Sequence, residues 1–495
     1  MKKFIFILLI YFLSLLYIIS QREILVYYDE AIRCMDGIFY KSLFNDISTV
    51  SFSNIIPYIE RFYSYYPGLY IIFYPPLNQL ITGIFYFLFG INNITSRLSI
   101  LIFSILSVYF FYKLISEFYS KELKKIMILI MILSPHFIFL STTNFLEIPI
   151  VFFTIICTYY FLRTFIKNED HSTKLGILLG LAFLTKWTIV ILYFTFLIFL
   201  FIKKRNEIFK KRFLKTSLIF LLLSTPFLAV MVFTGGLNAL FLATTGQSLS
   251  ITDLYFYLFS PFDIFSPLLA IFGLLGIYYL FKKKKEPQYF FVLLYFLLFV
   301  IIFTSIFRTW RHRRATMFYL PFFPILISLT LKKIENRSKN KHIFYLLVFL
   351  LLFSEIIYGF NVIIDDARVY DLNIGLDKAS SFLVESNLPE NSNILVLDDS
   401  PIFIYYLYKK LPLFSHHIVR LKHCDNVSNF NSYIQENNIY YIIGISKYIR
   451  RFPELQSLNK TVIKSVEIYK TNLTEFPRKK ICNGFCKVDY TFCSY

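Results

Sequence analysis

Apolar residues in this chain neither alternate nor recur every third or fourth position. They run on almost without interruption, separated by short polar or basic stretches. An uninterrupted apolar segment of about 20 residues asks for lipid rather than a protein core as its solvent. Such segments cover 4–20, 97–116, 125–141, 148–166, 187–202, 214–233, 263–281, 289–307, 317–331 and 343–360, with a shorter one at 175–185. Together they predict eleven membrane spans. The run 75–91 is short and carries Asn78, Gln79 and Thr82, which suits a half-buried helix lying at the membrane interface. The first run follows Met1-Lys2-Lys3 but has no small-residue cleavage site after it, so it reads as an uncleaved anchor.

The pattern changes after Asn361. Residues 394–397 and 440–444 are strand-like apolar runs, and 378–385 and 430–436 are helical in period. Strands alternating with helices predict a small α/β domain. The expected organisation is a membrane region over 1–360, with a first external loop at 21–96, followed by a soluble domain over 361–495.

Composition agrees with lipid: 57% of the 495 residues are hydrophobic, 20% aromatic and only 17% charged. The net charge of +20 suggests nucleic acid at first sight. The basic residues, however, collect in short clusters between apolar runs, as cytoplasmic loops do, and no soluble basic domain is present. Nucleic-acid binding is therefore excluded as a reading. Taking 203–205, 210–212, 282–285 and 332–341 as inside markers places the N-terminus in the cytoplasm. The loop 21–74 and the domain 361–495 then lie outside. Parity closes, with Glu147 outside, if 75–91 is interfacial; a full crossing there would fuse 175–202 into one helix and put Glu147 inside. Cys424, Cys482, Cys486 and Cys493 gather near the C-terminus, where disulfides form if that end is extracytoplasmic, and sequence leaves their pairing open. They carry no His in zinc-like spacing.

Against that background a few charges stand out. Asp29-Glu30 sits at the edge of the first span, and a carboxylate beside lipid can take a proton from a hydroxyl, orient an acceptor or bind a cation. It is also what a solvated loop looks like. Glu147 heads an apolar run two residues before Pro149, where an acid either complements a helix dipole or joins Asp29 in sharing a proton or a divalent cation. Lys186 lies between two apolar runs; it either snorkels to the interface or meets an anionic head group. The cluster Arg308, Arg311, His312, Arg313 and Arg314 falls outside by parity, against the positive-inside trend, and guanidinium groups suit phosphate. Arg97 heads another span and either joins that cluster or caps its helix. No phosphate-binding G-x-x-x-x-G-K-[ST] loop, H-E-x-x-H or G-x-S-x-G is present.

The order of several short motifs resembles a known group. Tyr28-Asp29-Glu30 is followed by Tyr74-Pro75-Pro76-Leu77, Gly90, Arg97, Leu133-Ser134-Pro135 and Leu146-Glu147-Ile148-Pro149. Gly176-x3-Gly180, running on to Thr185-Lys186-Trp187, and Tyr319-Leu320-Pro321-x-x-Pro324 complete the set. This order is similar to that of the GT-C membrane glycosyltransferases, in particular the dolichyl-phosphate-mannose protein mannosyltransferase and aminoarabinose transferase group. The resemblance covers about 30–330 and implies a mainly α, polytopic GT-C fold with amphipathic helices in the first external loop. It implies a polyprenyl- or dolichyl-phosphate sugar as donor and an acceptor (protein, lipid or glycan) reached on the extracytoplasmic face. The family acids fall on Asp29 or Glu30 and on Glu147, and the family lysine on Lys186. Donor phosphate would meet Lys186, Arg97, the arginines of 308–314 and the Tyr319 motif, although here the basic residues end at Arg314, further from Tyr319 than the family pattern has them. The Trp-Trp-Asp signature of oligosaccharyltransferases is missing, which disfavours transfer of a whole oligosaccharide.

The expected function is inverting transfer of a single mannose-like sugar, with an acidic general base. The rival from another class is a flippase or transporter of a lipid-linked sugar, which needs the same charged cavity but no base. A plain membrane anchor for 361–495 needs one span, not eleven.

Overall fold

The computed structural model describes residues 2–22, 28–51, 54–65, 71, 74–119, 123–233, 251–305, 317, 319–338, 340–386, 389, 392–397, 400–410, 418–421, 430–445, 455, 457–463 and 466–471. In chain order the helices begin with α1 Lys2–Gln21, α2 Tyr28–Asn45, α3 Ile55–Tyr65, α4 Leu77–Phe89, α5 Asn93–Phe118, α6 Lys124–Leu133 and α7 Pro135–Ser141. Then come α8 Glu147–Phe165, α9 Ser172–Phe183, α10 Val190–Lys203, α11 Lys211–Phe233, α12 Ile251–Phe259, α13 Pro261–Ile264 and α14 Pro267–Lys282. The last are α15 Pro287–Ser305, α16 Phe323–Arg337, α17 Lys341–Glu385, α18 Ser400–Lys410 and α19 Phe430–Glu436. They form two compact units, one of 1–21, 72–78 and 97–363, the other of 22–71, 79–96 and 364–495.

In the first unit α1, α5, α8, α11, α15 and the first part of α17 are long and apolar enough to cross a membrane, and the chain is an integral multi-pass membrane protein. The pair α6 and α7, apolar enough together but bent by 60°, is either a broken span or a re-entrant loop. The cause of the bend is local: Pro135 supplies no backbone N–H and drives Ser134 to φ −58°, ψ 120°, outside the helical region. Among the described residues six helices, or seven with that bent pair, are thus long and apolar enough, where the sequence predicts eleven spans, and α9, α10 and α14 are apolar but shorter. Residues 175–202 do not form one helix. Lys186 is extended, at φ −157°, ψ 120°, and separates α9 from the turn that leads into α10.

Small residues let these helices approach closely. A Cβ on Gly176 would stand 2.8 Å from the Thr216 carbonyl oxygen, and one on Gly180 would stand 2.6 Å from the Leu223 Cβ. The Gly-x3-Gly run is therefore the α9 face that seats on α11, the arrangement lipid-embedded helices use where hydrophobic burial drives nothing. On α14 the approach is tighter still, since a Cβ on Gly276 would lie 2.1 Å from the Leu326 carbonyl oxygen of α16. Gly276→Ala is expected to cost about 1–3 kcal/mol by overpacking. A lowered thermal midpoint in detergent would register it, and an unchanged midpoint would contradict the contact.

Polar side chains at one end of the bundle tie its helices together. Glu117 at the end of α5 accepts from Tyr159 of α8 (2.6 Å) and from Lys167 (2.9 Å). Lys204, after α10, donates to the Phe165 carbonyl, and Arg212 of α11 donates to that of Thr164 (3.3 Å). Lys203 reaches the Lys284 carbonyl beyond α14 (3.3 Å). Burial would raise the Glu207 carboxyl, but the bond from Lys210 and the charges of Arg212, Lys210 and Lys204 hold it below the usual range. The C-terminal ends of α5, α8, α10 and α14 and the start of α11 thus share one strongly basic end. The heads of α5 and α8 point to the other.

Within the span of α17, Glu355 is fully buried. Its carboxylate accepts the Ser266 backbone N–H at 2.7 Å, at the head of α14, where an acid meets the positive end of the helix dipole.

The second unit is built on a five-stranded sheet of β1 Asn393–Leu397, β2 Ile418–Leu421, β3 Ile439–Ile445, β4 Asn459–Ile463 and β5 Val466–Lys470. The order is β2-β1-β3-β5-β4, with β2, β1 and β3 parallel and β5 and β4 antiparallel. Leu395, Leu397, Phe430, Ile434, Ile439, Ile442 and Tyr469 make its core. The strands and helix expected near 394–397, 440–444 and 430–436 are therefore present. The same unit takes in α2 and most of α4, and α18 packs on α2. Its helices α2 and α4 cross at glycines, with Gly37 against Thr82 and Gly83 against Tyr40. Gly90, at φ +82°, ends α4 in the left-handed conformation that glycine tolerates best, and the Asn92 side chain accepts the Thr95 N–H (2.8 Å) to cap α5.

Candidate active site

Three of the quoted motifs meet at the end of the first unit away from the basic cluster. Glu147 opens α8, and Lys186 follows α9 in extended conformation, so its side chain leaves the helix path. Lys186 Nζ stands 3.0 Å from Glu147 Oε1, with both side chains only 8% exposed. The Tyr74-Pro75-Pro76-Leu77 segment joins them from a third direction. The Leu77 N–H donates to the Leu184 carbonyl (2.8 Å), and the Asn78 amide nitrogen donates to Asn144 Oδ1 (3.2 Å). Two buried amides, a carboxylate and an ammonium are therefore held by 77–78, 144–147 and 184–186. Removing two charges from water is costly, and such a pair persists only with good geometry and further polar support.

Arg97 is fully buried in the first turns of α5, among buried Ser96 and Ser99. A guanidinium in that position is a helix-head cation with no exposure to solvent. Tyr319 lies before α16, only 1% exposed, and its hydroxyl donates to the Tyr257 carbonyl at 2.9 Å, with its ring against Phe296 and Phe299. A phosphate contact there would require that bond to be exchanged. Arg308, Arg311, Arg313 and Arg314 lie outside the described residues, as do Cys424, Cys482, Cys486 and Cys493.

In the second unit Asp29 and Glu30 occupy the first turn of α2, where the helix dipole favours carboxylates. They differ in environment: Asp29 is half-buried, Glu30 wholly buried. Two charges absent from the sequence reading share the buried part of this helix. Arg33 and Asp36 are 3% and 0% exposed and face each other across one turn at 3.6 Å. The signal was available in the three-residue spacing of Glu30, Arg33 and Asp36, which puts charge repeatedly on one flank of a helix. Among the described residues no three His, Cys, Asp or Glu side chains gather as a metal-holding group.

Comparison with known proteins bears on this arrangement. Residues 74–233, about a third of the chain, match the family described as dolichyl-phosphate-mannose-protein mannosyltransferase. That stretch contains Tyr74-Pro75-Pro76, Arg97, Glu147 and Lys186, but neither Asp29-Glu30 nor Tyr319. No curated protein matches the chain. Among solved structures, ArnT from Cupriavidus metallidurans in the apo state is 14% identical with a TM-score of 0.66, over 94% of this chain and 98% of that one. The same protein bound to undecaprenyl phosphate is 13% identical with a TM-score of 0.67, over 97% and 100%. At such identity the likeness is one of fold.

Proposed function

From the premise that this chain has the fold of the GT-C membrane glycosyltransferases, we propose that it moves a single sugar from a polyprenyl-phosphate donor to an acceptor hydroxyl or amine on the extracytoplasmic face. The observation that carries the reading is the buried Glu147–Lys186 pair, fixed by the Tyr74-Pro75-Pro76-Leu77 and Gly176-x3-Gly180 motifs. It is supported by the family matched over 74–233 and by a structural relative bound to undecaprenyl phosphate.

In this reaction the acceptor attacks the sugar C1, the C1–O bond to phosphate breaks with inversion, and the lipid phosphate leaves carrying the electron pair. A phosphate is a good leaving group without an acid, and what it needs is cationic stabilisation in a dry site. Lys186 supplies a charge that Glu147 keeps in place. Arg97 and the arginines of 308–314 are further donors of the right chemistry. The acceptor proton goes to a carboxylate at the head of α2. Asp29, the half-buried one, is the base, and wholly buried Glu30 positions its helix.

Incubating the purified protein in detergent with labelled undecaprenyl-phosphate sugars and candidate acceptors should yield labelled product and free undecaprenyl phosphate. A flippase gives neither in detergent, so their absence across mannose, glucose, galactose and aminoarabinose donors would favour that rival. The proposed sidedness has its own test. Lys285→Cys, at the basic end, should resist an impermeant thiol reagent in intact cells, while Ile47→Cys should label above the wild-type background; the reverse pattern would invert the orientation.

A further inference from the structure

The helix α4 has its polarity reversed relative to a helix of a soluble protein. Asn78, Gln79 and Thr82 are 0%, 1% and 0% exposed, whereas Ile84, Phe87, Leu88 and Phe89 are 40–62% exposed. The outward apolar face suits lipid, and 13 residues, about 20 Å, are too few to cross a hydrocarbon core of roughly 30 Å. The inward face is where polar groups ought to find partners. Some do: Asn78 donates to Asn144, and the Leu77 N–H to the Leu184 carbonyl. Gln79 does not. Among the described residues neither its amide oxygen nor its amide nitrogen has a hydrogen-bond partner, and Asn78 Oδ1 lacks one as well.

A buried amide left unsatisfied costs on the order of 1–3 kcal/mol for each group. An apolar residue of the same size would remove that cost, and among the described residues no side chain or backbone group of the fold accounts for the glutamine. A carboxamide presents a donor and an acceptor side by side, without charge, which is the complement of a sugar hydroxyl that donates one hydrogen bond and accepts another. A phosphate, which only accepts, would leave the amide oxygen facing an anion.

We infer that Gln79 reads a hydroxyl of the donor's sugar and so sets which sugar the chain accepts. This rests on the polyprenyl-phosphate-sugar reading given above. Specificity of this kind is strong where binding is a matter of hydrogen bonds, because an analogue lacking the hydroxyl leaves the site's polar groups unpaired.

Gln79→Met keeps the length and removes both polar groups. Binding to the wild type and to this variant is compared for three probes: bare undecaprenyl phosphate, the undecaprenyl-phosphate sugar the wild type binds most tightly from a panel of mannose, glucose, galactose and aminoarabinose, and the single deoxy analogues of that sugar. The variant is expected to bind bare undecaprenyl phosphate as the wild type does, to unfold at the same or a higher temperature, and to bind the sugar donor at least tenfold more weakly. One deoxy analogue should bind the wild type at least tenfold more weakly than its parent, and the variant should no longer tell the two apart. A variant that binds parent and deoxy donors in the wild-type ratio overturns the inference, as does one that weakens bare lipid phosphate and sugar donor equally. If the wild type itself binds no sugar donor better than bare undecaprenyl phosphate, the reading of the function falls and this inference with it. Gln79→Leu repeats the comparison should the methionine variant fail to fold.

Discussion

Lys186→Met is expected to abolish sugar transfer and to destabilise the protein by about 3–5 kcal/mol, because it leaves the Glu147 carboxylate buried without its cation. The two side chains are 3.0 Å apart and 8% exposed, so solvent cannot replace the lost partner without opening the site. Glu147→Leu alone should be harmful for the converse reason. The double variant Lys186→Met with Glu147→Leu should recover most of the lost stability, since a well-packed apolar pair often equals or exceeds a buried ion pair. It should recover none of the transfer. Thermal unfolding in detergent and product formation, measured on the two single variants and the double, separate the two roles. If Lys186→Met unfolds like the wild type, the pair is not the buried unit described here. A double variant that transfers sugar would remove Lys186 from the chemistry altogether.

Much of this was legible in the chain itself. The apolar runs located the long spans, because lipid demands length and apolarity and little else. The break at Lys186 followed from one cation between two apolar runs, and that break carries the parity argument. In the structure the same residue is extended and bonded to Glu147, with the basic ends of α5, α8 and α10 gathered at the far end of the bundle. The Gly-rich run was visible too, although its role in packing α9 against α11 depends on the Thr216 and Leu223 neighbours.

What escaped was whatever depends on partners remote in sequence. Arg33 and Asp36 look like charges of an external loop, and nothing local reveals that α2 is buried. That burial comes from α4 and α18, the latter more than 350 residues away. The Tyr405 hydroxyl donates to Asn93 Oδ1 at 2.6 Å across 312 residues of sequence. The compact unit that holds 364–495 also takes in 22–71 and 79–96, segments far from it in sequence. Glu355 was hidden for another reason. A lone acid in an apolar run is conspicuous, but its meaning lies in the backbone N–H of Ser266, which no pattern in the sequence announces.

Asp29→Asn and Glu30→Gln should part company. Adjacent residues on a helix point about 100° apart, so one carboxylate of the pair can face inward while its neighbour stays accessible. Glu30 is the inward one, wholly buried, and Asp29 the half-buried one. A base must reach the acceptor proton, and general-base assistance is worth roughly 10²–10⁴-fold in rate. Asp29→Asn is therefore expected to lower the rate by at least 10²-fold (the lower bound of that range) at saturating donor while the protein stays folded, since the amide keeps the size of the carboxyl and an acceptor oxygen. Glu30→Gln should lower stability and reduce the rate only as far as it disturbs the first turn of α2. The two profiles differ in pH as well: loss of a base flattens the acid limb of the rate profile, whereas loss of a positioning group leaves its shape intact. Equal and complete loss in both variants, with both folded, would make the pair a single functional unit, and full activity in Asp29→Asn would move the base elsewhere.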